Sequence, residues 1–248
     1  MGKMKKYAMS LLLCGLVFAC GQRGNEEITD MDGDKGGLLE GDSTIYGLAC
    51  EGCTDSVVVL LPTDGSDPVT YDIVQATLNR KVHGKMSVGD KIGLVRNPED
   101  TTVADLVIDL EELSGTWCYQ VMPQLRSHLE LTDSIRKALF VPREYGFRLK
   151  RRWTAQSVGY VPPPNPLEDR SPVVYPQLRF FTEWHILNGQ LIITSGNLQK
   201  KADSNEMEIA GTRNDTCEIL YLRDDSLVLG SDGITRGYYR KPTKTDEN

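Results

Sequence analysis

From residue 43 onward the sequence is cut into short apolar or alternating runs, several of them separated by stretches that hold Gly, Pro, Asn or Asp. Residues 44–48, 56–61, 69–74, 91–95 and 103–110 are such runs, separated by the stretch 62–68, the Val88-Gly89-Asp90 turn and Asn97-Pro98. Runs of this length with β-branched and aromatic residues predict strands, and the breakers between them predict turns. Residues 78–86 add a polar strand or loop. Further strands are predicted over 116–122, 128–131, 147–157, 178–187, 190–198, 206–212, 216–222, 226–230 and 234–240. Asn188-Gly189 and Asp232-Gly233 are the dipeptides of two-residue hairpins. One short helix is expected over 134–140, ahead of Pro142. So many short strands in sequence leave an all-β chain. The expectation is a small N-terminal barrel of OB or SH3-like type over 43–111, joined through 111–114 to a larger antiparallel up-and-down barrel over 112–242. Residues 243–248 are expected to be a disordered tail.

What precedes residue 43 is of another kind. Lys3, Lys5 and Lys6, an apolar run from Ala8 to Phe18 and then Ala19-Cys20-Gly21 follow the plan of an export leader. That apolar run is shorter than the ~20 residues a bilayer-spanning helix requires. The ending Leu16-Val17-Phe18-Ala19-Cys20 resembles the lipobox of bacterial lipoproteins. The resemblance implies a signal peptide over 1–19, lipidation of Cys20, and a mature protein anchored in the cell envelope. Gly21 after the cysteine implies the outer membrane. Residues 20–42 are rich in Gly and acids and poor in apolar side chains, which predicts a flexible tether. Asp30, Asp32 and Asp34 there have the spacing that opens a calcium loop, but Lys35 stands where its turn needs glycine and Gly41 where it needs glutamate.

The 248-residue chain is 40% hydrophobic and 25% charged, as folded globular proteins are. Its formal charge is −7, and loss of the leader lysines takes the mature part to −10. An acidic body argues against nucleic acid, or an anionic bilayer surface, as the main partner. No nucleophile elbow, metalloprotease helix, phosphate loop or dinucleotide fingerprint occurs, so the expectation is a protein that is not an enzyme and carries no cofactor.

Cysteines stand at 14, 20, 50, 53, 118 and 217. In an exported protein the last four are disulfide candidates, and their placement suggests Cys50 with Cys53 and Cys118 with Cys217. A redox couple or half of a metal site is the alternative for Cys50–Cys53, behind the structural disulfide. The segment Tyr46-Gly47-Leu48-Ala49-Cys50-Glu51-Gly52-Cys53, followed by an apolar strand, resembles the start of the copper-resistance and envelope-stress lipoprotein family over about fifteen residues. That resemblance implies an envelope sensor or metal handler.

In the second region Gly115-Thr116-Trp117 looks like the G-x-W of lipocalins. The segments that begin at Trp184, Cys217, Asp225 and Tyr238 are similar to bacterial lipoproteins with a lipocalin-like domain. The resemblance covers roughly 112–242 and implies that Trp117 closes the base of a barrel, with a late arginine such as Arg240 packed over it. Trp117, Tyr119 and Val121 alternate on one strand and Trp184 and Ile186 on another, which makes them the candidate ligand-binding residues. Residues 162–176, rich in proline, could form a lid. Arg148, Lys150 and Arg152 give a cationic strand face, read as solvated or as a patch for anionic lipid or glycan. Glu183 and His185 share a strand face, with His185 expected to be a hydrogen-bonded structural residue. The functional expectation is a lipid-anchored, non-catalytic envelope protein that binds a small apolar or amphipathic ligand or an envelope protein. Its rivals are the sensor or metal handler and a structural adaptor in an outer-membrane complex.

Overall fold

The computed structural model describes residues 39–126, 131–159, 172–201 and 206–242. The leader, Cys20, the tether with its aspartates, most of the expected 128–131 strand, most of the proline-rich stretch and the tail lie outside the described residues.

The first unit comprises β1 (Ile45–Ala49), β2 (Val57–Pro62), β3 (Val69–Asp72), α1 (Val74–Leu78), β4 (Val82–His83), β5 (Lys91–Arg96) and β6 (Ala104–Asp109). Its sheet runs β3-β2-β1-β5-β6-β4, antiparallel except for the parallel β4–β6 pair. Leaving aside the two-residue β4, the circuit nearly closes from β3 to β6, where Asp72 makes a parallel bridge with Val103 and donates its N–H to the Thr102 carbonyl at 2.9 Å. Five strands therefore make a nearly closed circuit, with a helix after the third, which is the OB-type arrangement. Strand alternation turns Val58, Leu60, Tyr71, Ile92, Leu94 and Val107 into its core. The expected 69–74 strand ends early. The Asp72 carboxylate accepts the Val74 N–H at 2.8 Å and starts α1, a helix the short sequence run did not announce.

The second unit is built from β7 (Gly115–Val121), β8 (Gln124–Leu125), α3 (Asp133–Leu139), β9 (Arg143–Leu149), β10 (Ala155–Val158), β11 (Val173–Val174), β12 (Phe180–Leu187), β13 (Gln190–Lys200), β14 (Met207–Arg223), β15 (Ser226–Ser231) and β16 (Ile234–Lys241). The eight long strands run β10-β9-β7-β16-β15-β14-β13-β12, and β8 with β11 form a separate ribbon. Each long strand pairs with its neighbour in the chain, and the last returns to the first: an up-and-down antiparallel barrel. The seam lies between β10 and β12. It is held by the Thr154–Glu183 bridge, by Trp184 N–H donating to the Trp153 carbonyl at 2.9 Å, and by Ser157. The Ser157 hydroxyl donates to the Arg179 carbonyl at 2.9 Å and accepts the Phe181 N–H at 2.8 Å.

Both predicted hairpins form, with Asn188 and Gly189 at φ of +50° and +79° and Asp232 and Gly233 at +50° and +75°. Two expectations need correction. The single strand predicted over 147–157 is a hairpin, because Arg152 and Trp153 sit at φ of +63° and +61° and turn the chain. The strands predicted over 206–212 and 216–222 are one, β14, because a ladder with β13 carries through the polar residues between them.

The units share a continuous core. Tyr46, Ile108 and Leu110 pack with Trp117, Leu149, Trp184 and Leu191, among others. The left-handed backbone at Trp153 costs of order 1–3 kcal/mol, and packing holds it there. Its ring lies 4.9 Å from Trp184, 5.9 Å from Tyr46 and 5.7 Å from His185, with Lys91 Nζ 5.1 Å above it. The linker 111–114 falls in α2 (Leu110–Leu113), capped by the Asp109 carboxylate, which accepts the Glu112 N–H at 2.9 Å. The Glu112 carboxylate in turn accepts the backbone N–H groups of Lys85 and Asp224, one from each unit.

Candidate functional site

The barrel interior has two levels. At its base every inward side chain is buried: Trp117, Leu149, Ile186, Leu191, Ile219, Leu222 and Leu227 close it as a solid floor. Trp117 donates its Nε1–H to the Leu113 carbonyl at 2.8 Å, and the Arg240 guanidinium carbon sits 4.2 Å from its ring centroid. Arg240 also donates to the carbonyls of Ser114 at 2.9 Å, Asp224 at 2.7 Å and Glu112. Gly115 makes room for this: at φ of +141°, a Cβ on it would lie 2.4 Å from an Arg240 nitrogen. The expected arrangement of Trp117 at the base and Arg240 over it is present.

Toward the other end the inward side chains are less buried. Registers place Tyr119, Tyr145, Tyr238 and Val121 on the face shared with Trp117, and Phe181, Ser195 and Cys217 on the facing strands. Tyr119, Val121, Phe181, Cys217 and Tyr238 are only half-buried. Their rings contact edge to face or tilted, Tyr119 to Tyr238 at 5.4 Å, Phe147 to Tyr238 at 5.1 Å and Phe147 to Phe181 at 6.0 Å. Burial holds the Tyr238 hydroxyl up at about 12, so it stays protonated.

Above these rings stand arginines. Arg236 lies 4.4 Å over Tyr119 and Arg143 lies 3.8 Å over Tyr175. Arg179 donates to Ser195 Oγ at 2.9 Å and to the Gly211 carbonyl at 2.7 Å, and Arg213 pairs with Asp215 at 2.8 Å. Sequence reasoning passed over these arginines because they belong to four separate stretches of the chain, at or beside β9, β12, β14 and β16. Only closure of the barrel gathers them. With Asp215 and Asp232 as the nearby acids, the mouth is cationic over an aromatic middle layer.

The five candidate ligand residues therefore divide. Tyr119 and Val121 line the less buried level. Trp117, Trp184 and Ile186 do not: they are buried in the floor, and Trp184 spends its Nε1–H on the Lys150 carbonyl at 2.8 Å. Alternation placed them on the inner face correctly, but height along the barrel decides which inward residues meet solvent. The cationic strand face is partly spent too, since Arg148 donates to the Thr116 hydroxyl at 2.8 Å. His185 stacks on Trp153 in the shared core, 3.7 Å from the Glu183 carboxylate.

No protein-family model matches this sequence, and no curated protein does. A solved lipocalin-like protein from Bacteroides thetaiotaomicron VPI-5482 is similar to it at 18% identity, over 52% of this chain and 97% of that one, with a TM-score of 0.30. The barrel assignment rests on the strand order above, independently of that likeness.

The disulfide expectations are corrected. All four cysteines among the described residues are free thiols. Cys118 faces outward on β7, beneath Glu144 and Lys241, whereas Cys217 faces the lumen on β14, and β15 and β16 lie between those strands. At ~4.8 Å per strand the two are roughly 14 Å apart, well beyond the ~7 Å that a disulfide tolerates. Burial pushes the Cys118 thiol up to about 11. Cys50 and Cys53 flank the β1–β2 turn with their thiols turned to different backbone groups. Cys50 Sγ donates to the Leu48 carbonyl at 3.8 Å, and Cys53 Sγ accepts the Val59 N–H at 3.3 Å. Among the described residues no three His, Cys, Asp or Glu side chains converge as a metal site.

Proposed function

We propose that this chain is a non-catalytic lipoprotein of the cell envelope, anchored at the outer membrane through Cys20, whose larger barrel binds a small amphipathic ligand in its mouth. One observation carries the reading: inward aromatic side chains that are left half-exposed above a solid floor, beneath a rim of arginines. An interior of eight strands is wide enough for side chains alone or for one small ligand. Here side chains fill the lower level, and the half-buried rings above it are the surface on which a short apolar body with an anionic head would lie. Among the described residues, neither the Cys50–Cys53 geometry nor a converging ligand set supports the sensor or metal-handling alternative.

The test is calorimetric titration of the purified protein with octanoate and decanoate, and with the matching alcohols as neutral controls. Saturable one-to-one binding is expected, weaker for the alcohols. Tyr119→Ala should weaken the acids about tenfold, equivalent to ~1.4 kcal/mol, and Arg236→Gln should narrow the gap between acid and alcohol. Absence of saturable binding by acid and alcohol alike would refute the ligand reading and favour the adaptor.

A further inference from the structure

Outside the lumen, the two units enclose a groove of about 700 Å³ where α1 and the β4 segment face β14 and β15. Its walls are not those of an ordinary outer strand face. The pairing of β14 with β15 shifts between Ile219 and Tyr221, while Ile219 and Leu222 both stay in the core. The extra residue lets two successive side chains, Leu220 and Tyr221, turn outward, and they are 40% and 48% exposed on the groove wall. Bulges commonly re-aim side chains in this way.

Both walls bring charge. Arg80, Lys85 and Arg223 line the groove against one carboxylate, Asp55. Among the described residues the side chains of Arg80 and Arg223 have no hydrogen-bond or ion-pair partner. Thr54 and Thr77 add hydroxyl-bearing side chains.

Between the walls lies His83. β4 pairs it with Ile108 on β6, and the next residue, Gly84, donates its N–H to the Leu222 carbonyl at 3.0 Å, tying one unit to the other. Gly84 is required there, because at φ of +94° a Cβ would sit 2.6 Å from that of Asp109. His83 is 2% exposed, and its Nε2 is buried with no hydrogen-bond partner. A buried ring nitrogen left unpaired costs roughly 1–3 kcal/mol, so native proteins seldom leave one without a reason.

We propose that this groove is a second binding site, for a polyhydroxylated anion such as a sugar acid or a sugar phosphate. The sugar ring lies on Tyr221, the anionic group is met by Arg80, Lys85 and Arg223, and a ligand hydroxyl bonds His83 Nε2 once a small shift of the groove wall uncovers that atom. A hydroxyl can donate or accept, so it satisfies either tautomer of the imidazole. A purely apolar ligand would leave the cations and His83 unpaired, and inorganic phosphate alone would leave most of the volume empty.

The experiment is titration of the full chain, labelled with ¹⁵N in its imidazoles, with digalacturonate in one arm and glucose 6-phosphate in the other; cellobiose is the neutral control. The chain has only three histidines, so its ring signals are few, and His83→Gln assigns the relevant one. A saturable shift of the His83 signal is expected in at least one anionic arm, with cellobiose about tenfold weaker. Which arm responds identifies the source of the anion. Arg80→Gln and Arg223→Gln, both surface changes that leave the core intact, should each weaken binding about fivefold. Arg236→Gln, at the barrel mouth, should leave it unchanged, which separates this site from the one proposed above. The proposal is overturned by no shift in either arm up to about 20 mM, by an equal response to cellobiose, or by binding indifferent to Arg80 and Arg223.

Discussion

Asp109 and His83 flank the same junction between the barrels, and their titrations oppose each other. Asp109 is 1% exposed, and burial, with Asp90 and Glu112 nearby, raises its carboxyl from 3.8 to about 7. His83 falls from 6.5 to about 4, chiefly through burial and then through Lys81, with Glu218 acting against the change. An acid raised in this way keeps its proton in the folded chain and loses it in the unfolded one. Stability therefore falls as pH climbs from 3.8 to 7, by about 4 kcal/mol in all. A histidine held neutral in the fold acts in the other direction. Its contribution is present above 6.5 and is lost as pH falls toward 4, by about 3 kcal/mol. Between pH 4 and 6.5 the two slopes nearly cancel.

Asp109→Asn should remove one of them. Asparagine caps a helix about as well as aspartate, so the bond to the Glu112 N–H survives. The variant should match the parent near pH 4 and exceed it by about 3 kcal/mol at pH 8, after allowing for the weaker neutral hydrogen bond. Urea unfolding from pH 4.5 to 8 reads this as a midpoint gap that opens to roughly 1–2 M. A gap that stays constant with pH, or a variant less stable than the parent at pH 8, would refute the reasoning.

Other outcomes follow from single contacts. Arg240→Met removes the cation over Trp117 and three carbonyl bonds; a loss of about 2–4 kcal/mol is expected by thermal unfolding, with Arg240→Lys recovering less than half. Gly146→Ala would place a Cβ 1.9 Å from the Trp117 carbonyl oxygen and should cost more than ~3 kcal/mol, while Gly237→Ala, with nothing within 4 Å, should stay within about 0.5 kcal/mol. Peptide mapping of the unreduced protein should find no Cys118–Cys217 linkage, and Cys118 should be the slowest thiol to alkylate, being buried and pushed up to about 11. Cys20→Ala should move the protein out of the membrane fraction, as read by fractionation and immunoblot, because a leader this short does not span a bilayer; an unchanged membrane-bound fraction would reject the anchor.

Local chemistry wrote much of this molecule into its sequence. Asn188-Gly189 and Asp232-Gly233 fix their hairpins, since few other pairs accept positive φ at both positions. Period-two alternation told which of Trp117, Tyr119 and Val121 share a face. The roles of Trp117 and Arg240 at the barrel base, by contrast, came from the resemblance of Gly115-Thr116-Trp117 to the lipocalin motif and not from local chemistry. Alternation is silent, however, on which strands become neighbours and on how high a residue stands along the barrel. Those were decided by the closure of β16 on β7 and by the first unit packing against the base. Closure put Cys118 and Cys217 on opposite faces, sank Trp184 and Ile186 into the floor, and left Tyr119 under an arginine rim. Packing alone makes Arg152 and Trp153 tolerate a left-handed turn inside what reads as one strand. The groove beside His83 belongs to neither unit. It arises from a bulge in β14 meeting a two-residue strand more than a hundred positions earlier, a juxtaposition that only the tertiary fold can make.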